Sequence, residues 1–299
     1  MTASSHTTAR RLIASVWGER AEAGAVLVAE RRGTCLWRVD TVRGPYALKI
    51  TVPCTDPQGH VDSERLALVE AEILLALAAD GVLTGLYEAH GTLYDSEGSW
   101  LALKWAGGDD AETAFAKLRQ APDAAMAASY ATAMCKAVAD LHASGWRHGD
   151  LQEVHFILND HGATLLDYAM AHAPDRRPGT GPVVYRGAYD WFMSPELARA
   201  RLTTTPADDL PLTTASEVWS LCAVIYACWT GTYPISTRDT PQSTPELRAE
   251  LALGRVKPWA DTRPWPFAEF EDILTSGLQT DPTRRPTARA LQYAFEALV

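Results

Sequence analysis

Three charged residues stand beside apolar stretches in an order that has chemical meaning. Lys49 lies in YALKI, Asp150 in HGDL and Asp167 in LLDYA. Phosphoryl transfer needs a cation on the phosphates, a carboxylate that holds Mg²⁺ and a carboxylate that positions the attacking hydroxyl. Taken singly, each residue has an ordinary reading, as an edge-strand lysine facing water or as a turn aspartate. Taken together, they predict a site for phosphoryl transfer.

The three residues can be given separate tasks. Lys49 is predicted to reach the α- and β-phosphates of a nucleotide, with Glu70 as its carboxylate partner and Glu72 as the competing candidate. Asp150 would accept or orient the proton of the attacked hydroxyl. Asp167 would chelate Mg²⁺ between the β- and γ-phosphates.

The elements that must position these residues fall into a β-rich part and a helical part. Alternating or apolar runs predict strands at 26–30, 35–41, 45–51, 85–93 and 100–105. Helical spacing over Ser63–Ala79 predicts a helix, with Ser63 as N-cap and Gly81 as its stop.

Beyond residue 106 the pattern changes. A helix is predicted over 125–144, two short strands flank the turn at 159–162, and helices dominate from Ser194 onward, with loops at 203–214 and 236–245. A small β-rich lobe therefore joins a larger helical lobe near 104–108. A cleft between two such lobes is where a small ligand is expected.

Composition narrows the class of protein. The 299 residues carry a net charge of −10, which argues against nucleic-acid binding because that requires clustered Lys and Arg. The most apolar run, Val218–Trp229, is too short to span a membrane, and the N-terminus has no apolar signal region. Five scattered cysteines without metal spacing indicate reduced thiols in a cytoplasm.

Seven stretches resemble, in order, the motifs of protein kinases of the eukaryotic Ser/Thr type. YALKI resembles V-A-I-K, LALKWAGGDD resembles the hinge, HGDLQEVHFIL resembles H-R-D-L-x-x-x-N, DYA resembles D-F-G, SPE resembles A-P-E, SEVWSL resembles the start of a buried helix, and DPTRRP resembles D-P-x-x-R-P. The chain is identified on this basis as a member of that superfamily, over about residues 24–299.

The resemblance implies an α+β, bilobal fold. We expect an N-terminal extension at 1–23, a small antiparallel β-sheet lobe with one main helix at 24–106, and a larger, mainly helical lobe at 107–299. Residues 1–23 are expected either as a helix against the small lobe or as an arm that binds a partner.

The resemblance also implies ATP and its binding residues. Leu103 would be the gatekeeper, and backbone groups of the hinge, Lys104, Trp105 and Ala106, would bind adenine. Gly33 is the one glycine that remains of the phosphate-binding loop. The family further implies that Glu196 pairs with Arg285.

Two departures from the motifs bear on metal and regulation. His155 replaces the asparagine that would hold a second Mg²⁺, so Asp167 is predicted to hold one Mg²⁺ and His155 to form a weak or Mn²⁺-preferring site. The alternative is that His155 only donates a hydrogen bond to Asp150 or to a backbone carbonyl. Gly149 replaces an arginine that reads a phosphate in many kinases. Thr180, Tyr185 and Tyr189 are candidate phosphorylation sites in that segment, but their phosphorylation should not be required.

Three further departures concern the catalytic loop and its support. Gln152 stands where a lysine usually contacts the γ-phosphate, so it cannot supply that charge. Ala169 replaces the glycine after D-F, where a Cβ restricts positive φ. Glu217 replaces an aspartate that anchors the loop and is one methylene longer.

Three functions follow as hypotheses. The first is an active kinase acting on a Ser/Thr hydroxyl of a protein or peptide, with ribosomal precursor peptides that are later subject to elimination as one such acceptor. The second is a pseudokinase scaffold, motivated by His155, Gln152 and the thin glycine loop. The third is a small-molecule kinase, because HGD also resembles aminoglycoside and choline kinases, although these lack A-P-E and D-P-x-x-R-P.

Overall fold

The structure is a computed structural model, and it describes residues 3–31, 33–52, 66–83, 85–93, 98–173, 185, 187, 189–205, 208–237, 240 and 243–299. Three residues of interest lie outside the described residues. They are the predicted N-cap Ser63, the cysteine Cys54 and the candidate phosphorylation site Thr180. The described residues divide into two compact units between Ala106 and Gly107.

The first unit is built on a five-stranded antiparallel sheet. Its strands are β1 (Val26–Arg31), β2 (Thr34–Thr41), β3 (Gly44–Thr51), β4 (Tyr87–Thr92) and β5 (Ser99–Lys104), in the order β1-β2-β3-β5-β4. Strand alternation sends Leu48 and Ile50 to one face of β3 and Lys49 to the other. The sheet therefore has an apolar face that needs a cover and a second face that carries the lysine.

Helices cover the sheet of the first unit. The apolar face meets α1 (Ala3–Trp17) and α2 (Glu19–Gly24), because the buried residues of these helices share one core with those of the strands. This core contains Ala9, Ile13, Ala21, Cys35, Trp37, Val39, Leu48 and Ile50. The third helix, α3 (Leu66–Ala79), contacts β3, β4 and β5.

The second unit is mainly helical. Its helices are α4 (Ala111–Gln120), α5 (Ala124–Ala143), α6 (Pro195–Thr203), α7 (Thr214–Thr230), α8 (Thr244–Leu253), α9 (Trp259–Thr262), α10 (Ala268–Gly277) and α11 (Ala288–Glu296). A small sheet of β6 (Asp109–Asp110), β7 (Phe156–Asn159) and β8 (Gly162–Leu165) precedes the Asp167 motif.

Helix α7 is the centre of the second unit. Thirteen of its residues are buried, including every residue from Val218 to Trp229 except Ser220. A capping box between Thr213 and Ser216 starts the helix, and Gly231, with φ 73°, ends it. The short apolar run of the sequence is thus a buried core helix, and no described helix is long and apolar enough to cross a membrane.

The predicted fold class is confirmed. An antiparallel β-sheet unit is followed by a helical unit, which is the α+β arrangement expected from the sequence. The strand bounds differ from the predicted ones by one or two residues, as is usual at the ends of elements.

Candidate active site

Lys49 and Glu70 form an ion pair inside the first unit. On β3, Lys49 lies opposite Leu36 of β2 and Leu101 of β5, so its stem is flanked by aliphatic side chains. Its Nζ lies 2.8 Å from Oε2 of Glu70 on α3, and the Glu70 side chain is only 1% exposed. Of the two carboxylates that the sequence left open, Glu70 is the one that contacts the lysine.

The hinge residues differ in how their backbone groups are used. The N–H of Lys104 donates to the carbonyl of Leu86 at 2.8 Å, and the N–H of Trp105 donates to the carbonyl of Pro45 at 3.1 Å. The N–H of Ala106 makes no hydrogen bond to any residue that the structure describes. Ala106 is therefore the hinge residue with a donor available to a ligand.

Leu103 and Gly33 also belong to the first unit. Leu103 lies opposite Ala47 in the β3–β5 pairing, on the same face as Lys49, and is buried. Gly33 has φ 76°, a left-handed conformation that favours glycine, and its carbonyl accepts the N–H of Val52 at 2.9 Å. The single glycine of this loop thus serves to make the β1–β2 turn.

His148 is buried in the second unit and fixes the start of the loop that carries Asp150. Its Nε2 donates to the carbonyl of Leu166 at 2.9 Å, and its Nδ1 accepts the N–H of Asp150 at 3.3 Å. Burial lowers the pKa of His148, and the nearby His155 lowers it further. The Tyr168 ring meets the His148 ring edge-on, with centroids 5.0 Å apart. The neutral imidazole thereby links the loop to the segment that begins at Asp167.

Glu217 anchors the same loop from α7. Its Oε1 accepts the N–H of Gly149 at 2.5 Å, and its Oε2 lies 2.7 Å from Nε2 of His142 on α5. The longer side chain therefore reaches the loop that the aspartate of related motifs would anchor. His142 was not singled out in the sequence, because nothing in a helical histidine at this position indicates its carboxylate partner.

Gln152 hydrogen-bonds the proposed base. Its Nε2 donates to Oδ1 of Asp150 at 2.7 Å, and no described residue donates to the other oxygen, Oδ2. Gln152 orients the carboxylate without adding charge, and one carboxylate oxygen remains for a hydroxyl. The sequence indicates that Gln152 lacks the charge of a lysine, but it does not reveal this contact.

His155 faces two of the proposed site residues. Its Nδ1 donates to the backbone carbonyl of Asp150 at 2.8 Å, which is the alternative reading that the sequence left open. Its Nε2 lies 3.7 Å from Oδ2 of Asp167. The hydrogen bond at Nδ1 sets the ring orientation and leaves the Nε2 edge towards the carboxylate.

Asp167 has an unusual backbone. Its φ of 63° and ψ of 68° are left-handed, and among the described residues it is the only non-glycine residue with positive φ. Such a conformation is uncommon for a residue with a side chain, although aspartate adopts it more readily than most, and strained residues of this kind cluster at active sites. Ala169 lies in the 3-10 turn Tyr168–Met170 without a positive φ, in keeping with its Cβ, and the positive φ is at Asp167 instead.

The carboxylate of Asp167 and the imidazole of His155 are donor types that divalent metal ions use, and their nearest atoms lie 3.7 Å apart. A carboxylate oxygen suits Mg²⁺, whereas an imidazole nitrogen suits Mn²⁺ better. Among the described residues, no group of three or more His, Cys, Asp or Glu side chains could hold a metal. A metal here would take its remaining ligands from phosphate oxygens and water.

Glu196 and Arg285 form the pair that the resemblance implied. Nη1 and Nη2 of Arg285 lie 2.6 and 2.8 Å from the two carboxylate oxygens of Glu196, and Nη1 also donates to the carbonyl of Ala215 at 2.8 Å. The guanidinium also lies over the Trp219 ring. This bidentate pair ties the first turn of α6 to the segment before α11.

Two comparisons with known proteins both find similarity to protein kinases. Residues 43–295 match the family model described as protein kinase domain. The chain is 27% identical over 193 residues to the serine/threonine-protein kinase RUNKEL of Arabidopsis thaliana, a match that covers 62% of this chain and 12% of the plant protein. The chain thus spans only a small part of that relative's length.

A solved structure shares the fold. The crystal structure of the Rad53 kinase domain and SCD2 in complex with AMPPNP matches with a TM-score of 0.58 and 16% identity, covering 90% of this chain and 88% of that one. At this identity the likeness concerns the fold alone.

Proposed function

Because the chain belongs to the protein kinase domain family, we propose that it is an ATP-dependent kinase that transfers the γ-phosphate to a Ser or Thr hydroxyl of a protein or peptide. The observation that carries the proposal is the Lys49–Glu70 ion pair. A buried ion pair adds little net stability, because desolvation offsets the Coulomb attraction. A lysine held in this way is suited to binding phosphate, which is the task that phosphoryl transfer requires of it.

The first unit would supply the nucleotide site. The aliphatic face beside Lys49 offers an apolar surface to adenine, the free N–H of Ala106 offers it a donor, and Lys49 would neutralise the phosphates. The Rad53 kinase domain was solved with AMPPNP, which supports a nucleotide as the ligand of this fold.

The second unit would supply the general base and the ligands of the metal. Asp150 would accept or orient the hydroxyl proton at Oδ2, while Gln152 holds Oδ1. Asp167 would hold Mg²⁺, and His155 would add a nitrogen donor that favours Mn²⁺. The metal, when bound, would offset the charge on the transferred phosphate.

The net charge, the family and the cysteines indicate the class of acceptor and the compartment. The net charge of −10 disfavours nucleic acid as a partner, and a peptide or protein is the acceptor that the family favours. A ribosomally made precursor peptide is one acceptor within that class. The four described cysteines are buried and free, which fits a reducing compartment such as the cytoplasm.

A transfer assay tests the proposal. Wild-type protein, ATP and Mg²⁺ or Mn²⁺ would be incubated with a Ser/Thr peptide library and, separately, with small alcohols. We expect labelled peptides, and we expect Asp150→Asn to lower turnover by about 10²–10⁴-fold because the general base is lost. Asp160→Asn, a turn residue outside the proposed machinery, is the matched control.

Three results would contradict this function in different ways. Labelling of small alcohols but not peptides would indicate a small-molecule kinase. Nucleotide binding without any transfer would favour the pseudokinase alternative, which is motivated by His155, Gln152 and the single Gly33. Full transfer by Asp150→Asn would remove the mechanism.

A further inference from the structure

We infer that the buried ring of Tyr185 latches the activation segment to the catalytic loop in place of a phosphate–arginine ion pair. The activation segment is here the stretch from the DYA motif to the SPE motif, and its described residues are 167–173, 185, 187 and 189–196. The inference rests on the proposed function, because it names how that same site is kept ready.

Gly149 marks the place where the arginine is missing. Its φ is 79°, a conformation that side chains rarely adopt. A Cβ added to Gly149 would lie 2.4 Å from the carbonyl oxygen of Met170 and 3.3 Å from Cε2 of Tyr185. An arginine here would therefore be strained and would require the Met170 carbonyl to move, and the tyrosine ring lies next to the position of its Cβ.

Tyr185 is held on both sides of its backbone. Its N–H donates to Oδ1 of Asp209 at 2.7 Å, and its carbonyl accepts the N–H of Leu210 at 2.8 Å. The residue is only 4% exposed. One described position of the segment is thus fixed to the stretch that precedes α7, and its ring is directed into the protein.

The surroundings of the ring suit an aromatic side chain and not a phosphate. Tyr185 lines a small cavity together with Leu151, Phe192, Met193 and Leu212. None of the described residues that line it is basic, and the charged one among them is the carboxylate of Glu217. A phosphate on Tyr185 would have to enter a buried site and would meet a negative charge there.

The latch acts on the catalytic loop through Gly149. The ring lines the same small cavity as Gly149 and lies 3.3 Å from where a Cβ of this residue would be, the N–H of Gly149 is bonded to Glu217, and Asp150 is the next residue in the chain. Tyr185 is therefore a positioning residue: it would fix the backbone that carries the general base without touching a substrate. Removing the ring would let the loop shift while the groups of the nucleotide site are unchanged.

The test compares Tyr185→Phe, Tyr185→Ala and Tyr185→Leu, with Tyr293→Ala as the matched control because Tyr293 is 60% exposed on α11. All proteins would be treated with phosphatase. Transfer kinetics would be measured together with hydrogen exchange of the Leu210 amide, which is a direct partner of Tyr185. We expect full activity of dephosphorylated wild-type protein and of the Phe and Tyr293→Ala variants. We expect Tyr185→Ala to lower kcat by about 100-fold, as a small misplacement of a catalytic group does, with the KM for ATP unchanged.

Each result of this test either supports or overturns the latch formed by Tyr185. Unchanged kcat in Tyr185→Ala, or a strict need of the wild-type protein for phosphorylation, would overturn the latch. If the Ala variant does not fold, the Leu variant, which retains apolar bulk without the ring, is judged by the same two criteria. If wild-type protein transfers no phosphate, the proposed function fails separately, and the exchange rates alone decide. Faster exchange at Leu210 in the Ala variant but not in the Phe variant then supports the latch, and equal exchange overturns it.

Discussion

His155 shows how one substitution in a motif changes the donors of a site without disordering it. The hydrogen bond from Nδ1 to the Asp150 carbonyl and the approach of Nε2 to Asp167 use different edges of the same ring. The two readings of this residue, as a structural donor and as a metal ligand, are therefore compatible. The first is observed, and the second remains a prediction.

Replacing His155 by asparagine should shift the metal preference. An amide oxygen is a hard ligand, so the ratio of Mn²⁺ to Mg²⁺ affinity for the nucleotide complex should fall by about tenfold, a change typical of altered metal-site ligands. Titration calorimetry of ATP with each metal, for wild-type protein, His155→Asn and His155→Ala, measures this ratio.

His161→Ala is a suitable control, since His161 lies in the turn between β7 and β8. Equal metal dependence in the wild-type, Asn and Ala proteins would show that His155 acts only through its bond to the Asp150 carbonyl.

At the residue scale, the order of the motifs predicted which residues form the main pairs, but it did not predict all of the contacts around them. Lys49, Glu70, Glu196 and Arg285 were each named from the sequence, and the structure brings each pair into contact. The bonds of Gln152 to Asp150 and of His142 to Glu217 could not be predicted, because they depend on the loop path and on the approach of α5 to α7. Such contacts leave no periodic trace in the sequence.

At the scale of elements, the two N-terminal helices belong to the core of the first unit. Ala9 and Ile13 of α1 are fully buried, and they pack with Trp37 and Ile50 of the sheet. Helical spacing was available as a signal, since positions 9 and 13 are four residues apart. The sequence could not show that this helix would cover the sheet face opposite Lys49, because that depends on the register of three strands.

Truncating Ile13 should destabilise the first unit. Ile13→Ala removes buried methyl groups and leaves a cavity between α1 and the sheet, at a cost of about 2–5 kcal/mol in the free energy of unfolding. Urea denaturation followed by tryptophan fluorescence measures this loss, because Trp37 is buried in the same core.

Val16→Ala is the matched control, since Val16 lies on the same helix and is 38% exposed. Its effect should stay within about 0.5 kcal/mol, as for other surface positions. Equal losses for the two variants would contradict the role of α1 as a cover of the sheet.

At the scale of the whole molecule, the proposed groups are divided between two units that each have their own hydrophobic core. The ion pair of Lys49 and the free N–H of Ala106 belong to the first unit. Asp150 belongs to the second unit, as does Asp167, which would hold the metal on the nucleotide. Nucleotide binding and transfer should therefore be separable by mutation. A change in the first unit should remove binding, and a change at the general base should remove transfer only.

Thermal unfolding with and without nucleotide tests this separation. ATP with Mg²⁺, at about 100 times its Kd, should stabilise the wild-type protein by about 2.7 kcal/mol, because the ligand binds only the folded state. For a protein of this size we expect a rise in Tm of about 5 °C.

Lys49→Met should abolish the rise, since it removes the cation and leaves the Glu70 carboxylate buried without it. Asp150→Asn should keep the full rise, because its carboxylate is assigned to the acceptor and not to the nucleotide. A rise that persists in Lys49→Met, or that disappears in Asp150→Asn, would show that the separate tasks assigned to Lys49 and Asp150 are wrong.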